Sequence, residues 1–204
     1  MEFKSISKKE DAFEKNGCCL IKNIISEDCR KILLAFMSLE HTASTPGSVG
    51  VEGSNELYNS MSLCVLNQVM LNKVKELTKE SALYSTYGFY RKYYKNQTLE
   101  KHIDRSECEV SLSICLSYSD NSEWPLYLED TQRGITYKGD TQLGDAILYR
   151  GNLLPHWRDE CPKNWCKQFF LHYSTNSLEE FDRNNCDQDK IILCNLIQSY
   201  LEQN

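Results

Sequence analysis

The chain has 204 residues, of which 41% are apolar and 25% are charged, a composition typical of one globular domain and not of a disordered chain. Its formal net charge at pH 7 is −6, which argues against a non-specific nucleic-acid-binding protein because such proteins need a basic face for phosphates. We therefore expect a single domain over residues 1–204 with no nucleic acid as a partner.

The N-terminal segment MEFKSISKKEDAFEK carries charges where a signal peptide needs an apolar run, and no segment approaches the roughly 20 apolar residues of a membrane span. We therefore expect a cytoplasmic protein without a membrane partner. The ten cysteines are expected to be reduced thiols, because disulfide frameworks belong to short secreted domains.

Residues 1–80 combine helical patterns with one strand pattern, and we expect them to support the rest of the domain. The apolar, β-branched run 18–25 predicts a strand, and Ser26 is the predicted N-cap of the helix that follows it. Predicted helices cover residues 8–15, 27–40 and 59–79, the last with apolar positions close to the 3.6-residue period. The segment 41–56 is rich in Gly, Ser and Thr without periodicity, so we expect a surface loop or an active-site lid.

Residues 81–175 carry a succession of strand patterns and form the predicted β core. The segment 109–118 alternates cleanly between apolar residues and small polar ones, which indicates a strand with two different faces. Further predicted strands cover 82–94, 125–129, 134–138, 145–149 and 165–174. Short strands separated by turn residues at this spacing predict an antiparallel sandwich or barrel rather than βαβ units.

The last segment of the chain, 188–204, has an amphipathic helical pattern in which Ile192, Leu196 and Tyr200 recur four residues apart. We expect a C-terminal helix within residues 176–204. It would pack on the β core or form a contact in a homodimer, and the sequence leaves both alternatives open.

Three residues in the β core form a candidate metal site. His102 and Asp104 are two residues apart, so both side chains can leave the same face of an extended segment. His156 follows the predicted strand 145–149, and a neighbouring strand can bring it alongside them. Two imidazoles and one carboxylate make the facial triad of non-haem iron(II) oxygenases, which leaves the opposite coordination positions open. Alone, the His-x-Asp pair also fits a histidine ion-paired with its neighbour, or two surface residues.

The order of the elements around these residues resembles the Fe(II)/2-oxoglutarate-dependent dioxygenases, and among them the prolyl-4-hydroxylase-like branch. FEKNGCCLIKNIISEDC resembles their N-terminal helix and strand, YRKYYKNQTLEKHID resembles the tyrosine-bearing strand before the first ligands, and LGDAILYRGNLLPHWRD with CKQFFLHYS resembles the stretch around the distal histidine and the closing strand. The resemblance covers residues 10–175. It implies a mainly β fold, a double-stranded β-helix (a jelly-roll or cupin-like barrel) with flanking N-terminal helices and a C-terminal helix.

The resemblance also implies an activity. His102, Asp104 and His156 would hold Fe(II) as the catalytic ligands, with 2-oxoglutarate as a cosubstrate that chelates the metal and O2 as the oxidant. Decarboxylation of 2-oxoglutarate to succinate and CO2 would be coupled to hydroxylation of a substrate. Asp104 favours hydroxylation, because family members that halogenate lack this carboxylate. A cupin-like metal- or ligand-binding protein without turnover is the alternative.

The distal carboxylate of 2-oxoglutarate needs a cationic partner, because an unpaired buried anion is costly. The family generally carries this basic residue on the last strand, which points to Lys167, and Arg158 is the alternative. Tyr93 is expected to contact the cosubstrate, with Tyr94 as the alternative because its side chain points the opposite way.

Candidate substrate residues are Trp157, Trp124 and Arg105, each of which also fits a structural role. The segment SEWPLYLED lacks the Gly-Gly pair that prolyl hydroxylases usually carry before the strand opposite the metal, so a prolyl substrate is not supported. We expect a small-molecule, amino-acid or peptide substrate. The acidic residues of this segment, at positions 123, 129 and 130, would favour a cationic substrate.

Overall fold

Two β-sheets dominate the computed structural model, which describes residues 2–8, 12–41 and 51–176 and the single residues 196, 199, 200 and 203. The helices are α1 (Ala12–Asn16), α2 (Glu27–His41) and α3 (Met61–Thr78). The strands are β1 (Glu2–Ser5), β2 (Cys18–Ile21), β3 (Asn55–Tyr58), β4 (Tyr84–Tyr94), β5 (Leu99–His102), β6 (Val110–Tyr118), β7 (Leu126–Asp130), β8 (Ile135–Gly139), β9 (Ala146–Tyr149), β10 (His156–Arg158) and β11 (Trp165–Ser174). A short 3₁₀ turn, Ser106–Cys108, precedes β6.

The strands form a five-stranded sheet in the order β1-β8-β7-β10-β5 and a six-stranded sheet in the order β2-β9-β6-β11-β4-β3. All pairings are antiparallel except that of β1 with β8. The two sheets face each other as a jelly roll that does not close into a barrel, since β5 and β3 remain edge strands. The predicted double-stranded β-helix is therefore confirmed as a fold, in an open form.

Strand β6 shows how the sequence divides the large sheet into two faces. Its apolar residues, Leu112 and Ile114 among them, pack with residues of α3 such as Leu63 and Val74 in the main hydrophobic cluster. Its intervening residues, Ser111 and Ser113, are also completely buried, and they point toward the small sheet. The alternation therefore separates a face covered by helices from a polar inner face that lies between the sheets.

Local signals explain where the N-terminal elements begin and end. The Cys29 N–H donates to Ser26 Oγ at 3.2 Å, which is the predicted N-cap of α2. The predicted strand 18–25 stops at Ile21, because Asn23 has a φ of 50° and this left-handed conformation does not fit a strand. Gly17, with a φ of 69°, ends α1 and turns the chain into β2.

Four short strands were not predicted: β1, β3, β5 and β10. Each has three or four residues, too few to show a periodic pattern. Strand β3 lies partly inside the segment 41–56 that we predicted as a loop, whereas residues 42–50 of that segment lie outside the described residues. The predicted C-terminal helix also lies outside them, apart from the four single residues, which are helical. None of the helices described here combines the length and the apolar character needed to span a bilayer.

Gly88 marks the closest approach between α3 and β4. A Cβ at this position would lie 2.8 Å from Leu63 Cβ and 3.2 Å from the Leu63 carbonyl oxygen. We expect Gly88→Ala to lower the free energy of unfolding by about 1–3 kcal/mol through overpacking, measured by urea denaturation. Ser81→Ala, at an exposed position just before β4, should change it by no more than about 0.5 kcal/mol. Equal losses in the two variants would contradict this packing.

Candidate metal centre

The three residues predicted as metal ligands come together at one edge of the small sheet. His102 Nε2 lies 3.5 Å and His156 Nε2 lies 3.6 Å from the same oxygen, Asp104 Oδ1. One ligand atom from each residue lies within 4.8 Å of the others, and the two imidazole centroids are 4.3 Å apart. The three donors therefore surround a point that a single ion can occupy.

Backbone pairing brings the two histidines together. His156 on β10 is the direct antiparallel partner of His102 on β5, so both side chains leave the same face of the sheet. Asp104 follows β5, and its N–H donates to the Gly151 carbonyl at 2.9 Å. This bond ties the chain after β5 to the turn that leads into β10. All three ligands are thus fixed by main-chain hydrogen bonds.

The tautomers of both histidines suit metal binding. His102 Nδ1 lies 2.7 Å from the Glu100 carbonyl oxygen and His156 Nδ1 lies 2.9 Å from the Leu154 carbonyl oxygen. A carbonyl only accepts, so each Nδ1 carries the proton and donates it. The Nε2 lone pairs are left facing Asp104. This is the orientation that a partner hydrogen bond imposes on metal-binding histidines.

The second oxygen of Asp104 is held by a buried chain of hydrogen bonds. Ser111 Oγ donates to Asp104 Oδ2 at 3.0 Å, and Ser111 Oγ also lies 2.9 Å from His172 Nδ1. Because the serine proton is used toward the carboxylate, His172 Nδ1–H must donate to the serine oxygen. Burial lowers the pKa of His172 to about 4, so its ring is neutral and has one such proton. This chain leaves Oδ1 of Asp104 to face the two Nε2 atoms.

Charge compensation keeps Asp104 ionised in spite of its burial. Burial by itself raises the pKa of this carboxyl. When no ion is bound, hydrogen bonds from protonated Nε2 atoms of His102 and His156 outweigh the effect of burial and hold the pKa well below its usual range, and a bound cation would replace these two protons. The same contact with Asp104 raises the pKa of His102. The site therefore combines one anionic carboxylate with two imidazoles, a set of ligands that suits a divalent cation.

A second possible ligand set shares Asp104 and adds Cys108 and His172. Cys108 Sγ lies 3.0 Å from the Tyr87 hydroxyl, and burial raises the pKa of this thiol to about 12. The His172 Nδ1 proton is already used toward Ser111. A protonated thiol is a poor metal ligand, so the donor set of His102, Asp104 and His156 fits an ion better.

Solved structures with a similar architecture include several 2OG-Fe(II) oxygenases. An oxidoreductase of the 2OG-Fe(II) oxygenase family from Burkholderia pseudomallei has a TM-score of 0.67 at 11% identity, over 86% of this chain and 96% of that chain. A prolyl-4-hydroxylase from Pseudomonas putida has a TM-score of 0.65 at 12% identity, over 80% and 95%. The non-heme alpha ketoglutarate dependent epimerase SnoN from nogalamycin biosynthesis has a TM-score of 0.65 at 11% identity, over 86% and 89%.

This chain has the 2OG-Fe(II) oxygenase fold. The similarity is structural, since no protein-family profile and no curated protein matches the sequence. The resemblance to prolyl-4-hydroxylases inferred from the order of the elements is confirmed for the fold. The candidate metal centre lies between the two sheets, next to the polar inner face of the large sheet.

The predicted cosubstrate residues Arg158 and Tyr93 both lie on this inner face. Arg158 is two residues after His156 and only 1% exposed, and Tyr93 is fully buried. Trp124 links them: its ring centroid is 4.8 Å from that of Tyr93 and 4.8 Å from Arg158 Cζ. Trp124 is therefore part of the wall around Arg158 and does not lie at the surface.

Arg158 is a buried cation whose hydrogen-bonding capacity is only partly used. Its Nη1 donates to the Trp124 carbonyl at 2.6 Å, whereas Nε and Nη2 have no hydrogen-bond partner among the described residues. The Tyr93 hydroxyl likewise makes no hydrogen bond of regular geometry within the described ranges, and it lies near both Arg91 and Arg158. Buried donors without partners are rare in proteins and indicate a place for an acceptor.

Lys167, the predicted cosubstrate anchor, lies on the face of β11 that points away from the metal centre. Cys166 and Phe170 of β11 face inward beside Tyr93 and Trp124, whereas Phe169 and Leu171 pack with the helices. Lys167 has the parity of Phe169 and points away from the metal centre, beside Lys92 and the Trp165 ring. Its place as the cosubstrate anchor is therefore not supported by the structure.

Trp157 requires a similar correction. It lies between His156 and Arg158, which both point inward, so its own side chain lies on the outer face of the small sheet. There it stacks on Tyr127 with a centroid distance of 5.3 Å, and Lys101 Nζ lies 4.7 Å from its ring centroid. This position does not line the site.

Three further residues belong to the site, and no motif predicted them: Ser111, Gly151 and His172. A Cβ on Gly151 would lie 2.2 Å from Asp104 Oδ2 and 2.8 Å from Ser111 Oγ, so only glycine leaves room for the carboxylate. His172 on β11 takes part through the contact of its Nδ1 with the Ser111 side chain. The alternation of β6 would have placed Ser111 inward, although not beside Asp104.

Ser111→Ala removes the donor to Asp104 Oδ2 and leaves that oxygen free to turn toward the metal position. We expect metal affinity to fall about 10- to 100-fold, as is typical when a group that orients a ligand is lost. The measurement is anaerobic Fe(II) titration by calorimetry. Ser113→Ala is the matched control, because Ser113 is buried on the same face of β6 but bonds Gln168 at 3.3 Å. Equal affinity in wild type and Ser111→Ala would show that the contact does not orient Asp104.

Proposed function

We propose that the protein is an Fe(II)- and 2-oxoglutarate-dependent oxygenase that hydroxylates a small organic molecule. The observation that carries the proposal is the arrangement of His102, Asp104 and His156, whose two Nε2 atoms and one carboxylate oxygen face a common point. Two histidines and one carboxylate are typical of non-haem Fe(II) oxygenases with open coordination positions. The fold it shares with the 2OG-Fe(II) oxygenases supports the same conclusion.

Iron and 2-oxoglutarate, when bound, would supply the two-electron oxidation of a substrate C–H bond by O2, with succinate and CO2 as co-products. The chain itself contributes position and charge. His102, Asp104 and His156 hold the metal, and Ser111 keeps one carboxylate oxygen turned away from it. The Nδ1–H bonds to Glu100 and Leu154 prevent the rings from rotating.

Arg158 replaces Lys167 as the proposed anchor for the distal carboxylate of 2-oxoglutarate. Its guanidinium is desolvated and forms no ion pair with a carboxylate in the described part of the chain, where two of its nitrogen atoms, Nε and Nη2, have no hydrogen-bond partner. A planar carboxylate matches this fork with two parallel hydrogen bonds. Tyr93 adds a third donor, because burial raises the pKa of its hydroxyl and keeps it protonated.

Hydroxylation is the proposed outcome, because Asp104 occupies the position at which halogenating family members lack a carboxylate. The fold alone does not fix the outcome, since SnoN is an epimerase. A small-molecule substrate is proposed because SnoN, which shares the fold, is a protein of nogalamycin biosynthesis. Arg105, half exposed beside Asp104, remains the proposed substrate contact from the sequence.

The first experiment forms the complex without oxygen. Fe(II) and 2-oxoglutarate added anaerobically should give the visible charge-transfer band of the chelate, and oxygen should then yield succinate. The double variant Asp104→Ala/His156→Ala should give neither, because two of three ligands are gone. A band of wild-type intensity in the double variant would mean that other residues bind the metal. A band without succinate, at any oxygen exposure, would favour a binding protein without turnover.

The second experiment separates the two candidate anchors. Arg158→Gln should weaken 2-oxoglutarate binding by about 2–5 kcal/mol, or roughly 30-fold or more, because a buried charge pair loses one partner. Fe(II) affinity should stay unchanged. Lys167→Gln is the control and should leave both affinities as in wild type, since this lysine lies on the opposite face of β11. The reverse result, with the loss in Lys167→Gln, would refute the assignment of Arg158.

A further inference from the structure

Trp124 contacts the guanidinium of Arg158 with both its main chain and its side chain. Arg158 Nη1 donates to the Trp124 carbonyl at 2.6 Å, and Arg158 Cζ lies 4.8 Å from the centroid of the indole ring. The first contact is a charge-assisted hydrogen bond and the second is a cation–π interaction. Trp124 is only 3% exposed, so water does not compete for either contact. One residue therefore holds this guanidinium in place.

Trp124 is itself fixed by three contacts. Its N–H donates to Asp140 Oδ1 at 3.0 Å, and its indole Nε1–H donates to the Asp159 carbonyl at 2.8 Å. The Tyr93 ring packs edge to face against the indole, with centroids 4.8 Å apart and ring planes at 74°. Asp159 directly follows Arg158, so the indole is bonded to the same stretch of main chain that carries the guanidinium. Turning the indole away would break a buried hydrogen bond.

A buried lysine holds the loop that carries Trp124. Residues 119–125 connect β6 to β7 without regular secondary structure, so strand pairing does not fix them. Lys163, which is 5% exposed, donates from Nζ to the Asp120 carbonyl at 2.9 Å and to the Ser122 carbonyl. These bonds tie the loop to the turn before β11. Trp124 therefore has a defined position although it lies outside a strand.

The pairing of β7 with β10 places Trp124 beyond Arg158, on the side away from the metal centre. His156 faces Leu128 across this antiparallel pair, and the residues that follow His156 face those that precede Leu128. Trp124 precedes the first residue of β7. It therefore lies past Arg158 along β10 when the strand is followed away from His156.

The cosubstrate proposed above has to bridge the metal centre and Arg158, and we name the space between them the cosubstrate pocket. His156 and Arg158 both point inward from β10, two residues apart, so their Cα atoms are separated by about 6.6 Å. Arg158 Nε and Nη2, which have no partner among the described residues, offer two donors to the far carboxylate. A longer molecule would push the guanidinium away from the metal centre, and the indole of Trp124 occupies that direction.

We propose that Trp124 closes the far end of the cosubstrate pocket and thereby sets the length of the 2-oxo dicarboxylic acid that Arg158 can bind. 2-Oxoglutarate fits between the metal and the guanidinium, whereas 2-oxoadipate, which has one more methylene group, forces the guanidinium against the indole. Trp124 is then a positioning residue for the cosubstrate and not the substrate contact that the sequence suggested. This inference rests on the proposed oxygenase function, because it concerns the cosubstrate of the same site.

The test compares the affinities of 2-oxoglutarate and 2-oxoadipate for the anaerobic Fe(II) complex. Each acid is titrated, and its dissociation constant is determined by calorimetry and from the charge-transfer band. We expect wild type to bind 2-oxoglutarate at least about tenfold more tightly, which is the usual effect of one methylene group in a closed pocket. The ratio of the two constants, measured on one preparation, does not depend on the fraction of the protein that is folded.

Trp124→Ala removes the indole and keeps the carbonyl that accepts from Arg158 Nη1. 2-Oxoglutarate should therefore still bind, while room opens behind the guanidinium for the longer acid. We expect the preference for 2-oxoglutarate to fall to about threefold or less. Trp124→Leu keeps more of the packing against Tyr93. It should also lower the preference, and it carries the test if the alanine variant does not fold.

Trp157→Ala is the matched control. Trp157 also neighbours Arg158 in the sequence, but its ring lies on the outer face of the small sheet, stacked on Tyr127. This variant should keep the wild-type preference. A loss of preference as large as in Trp124→Ala would mean that the effect comes from altered packing of β10 and not from the end of the cosubstrate pocket.

Three results would overturn the inference: equal affinity of the two acids in wild type, an unchanged preference in the folded Trp124 variants, and the same loss of preference in Trp157→Ala. In each case a charge-transfer band of wild type with 2-oxoglutarate leaves the proposed function standing. Absence of that band in wild type would instead refute the oxygenase itself.

Discussion

The buried carboxylate of Asp104 is the constraint on which the site depends. A charge taken out of water must be compensated by polar partners, and here these come from three different elements: His102 at the end of β5, His156 on β10 and Ser111 on β6. The contacts of this one carboxylate therefore hold the edge of the small sheet, with β5 and β10, against β6 of the large sheet. The same compensation gathers the donor atoms that a divalent ion needs.

The inner face between the sheets is polar as well. A core built only for stability would have apolar residues there, yet Ser111, Ser113, Gln168 and Arg158 are all buried. Ser111, Ser113 and Gln168 have hydrogen-bond partners, whereas Nε and Nη2 of Arg158 have none among the described residues. A buried donor without an acceptor lowers the stability of the fold. A ligand that supplies the missing acceptor binds the folded state alone, so it stabilises that state by mass action.

Residue spacing and strand parity explain what the sequence could predict. The His-x-Asp pair was found because two-residue spacing puts side chains on one face of a strand. The same rule places Arg158 on the face of His156 and Trp157 on the opposite face. Lys167 is different, because the face of β11 that turns inward is set by the pairing of this strand with β4 and β6, which the sequence alone does not show. Ser111 and Gly151 contact Asp104 only through long-range packing.

The two arginines of the site differ in burial, and this difference suits different ligands. Arg158 is desolvated and enclosed by Trp124 and Tyr93, so it offers a small anion a strong and little-screened attraction. Arg105 is half exposed, so its attraction is weaker and more strongly screened by salt. The desolvated environment of Arg158 would hold the distal carboxylate of the proposed cosubstrate tightly, whereas Arg105 would make a weaker contact with the proposed substrate. Both ligands are consumed in each reaction, so the two environments differ in the affinity that they would give and not in which ligand turns over.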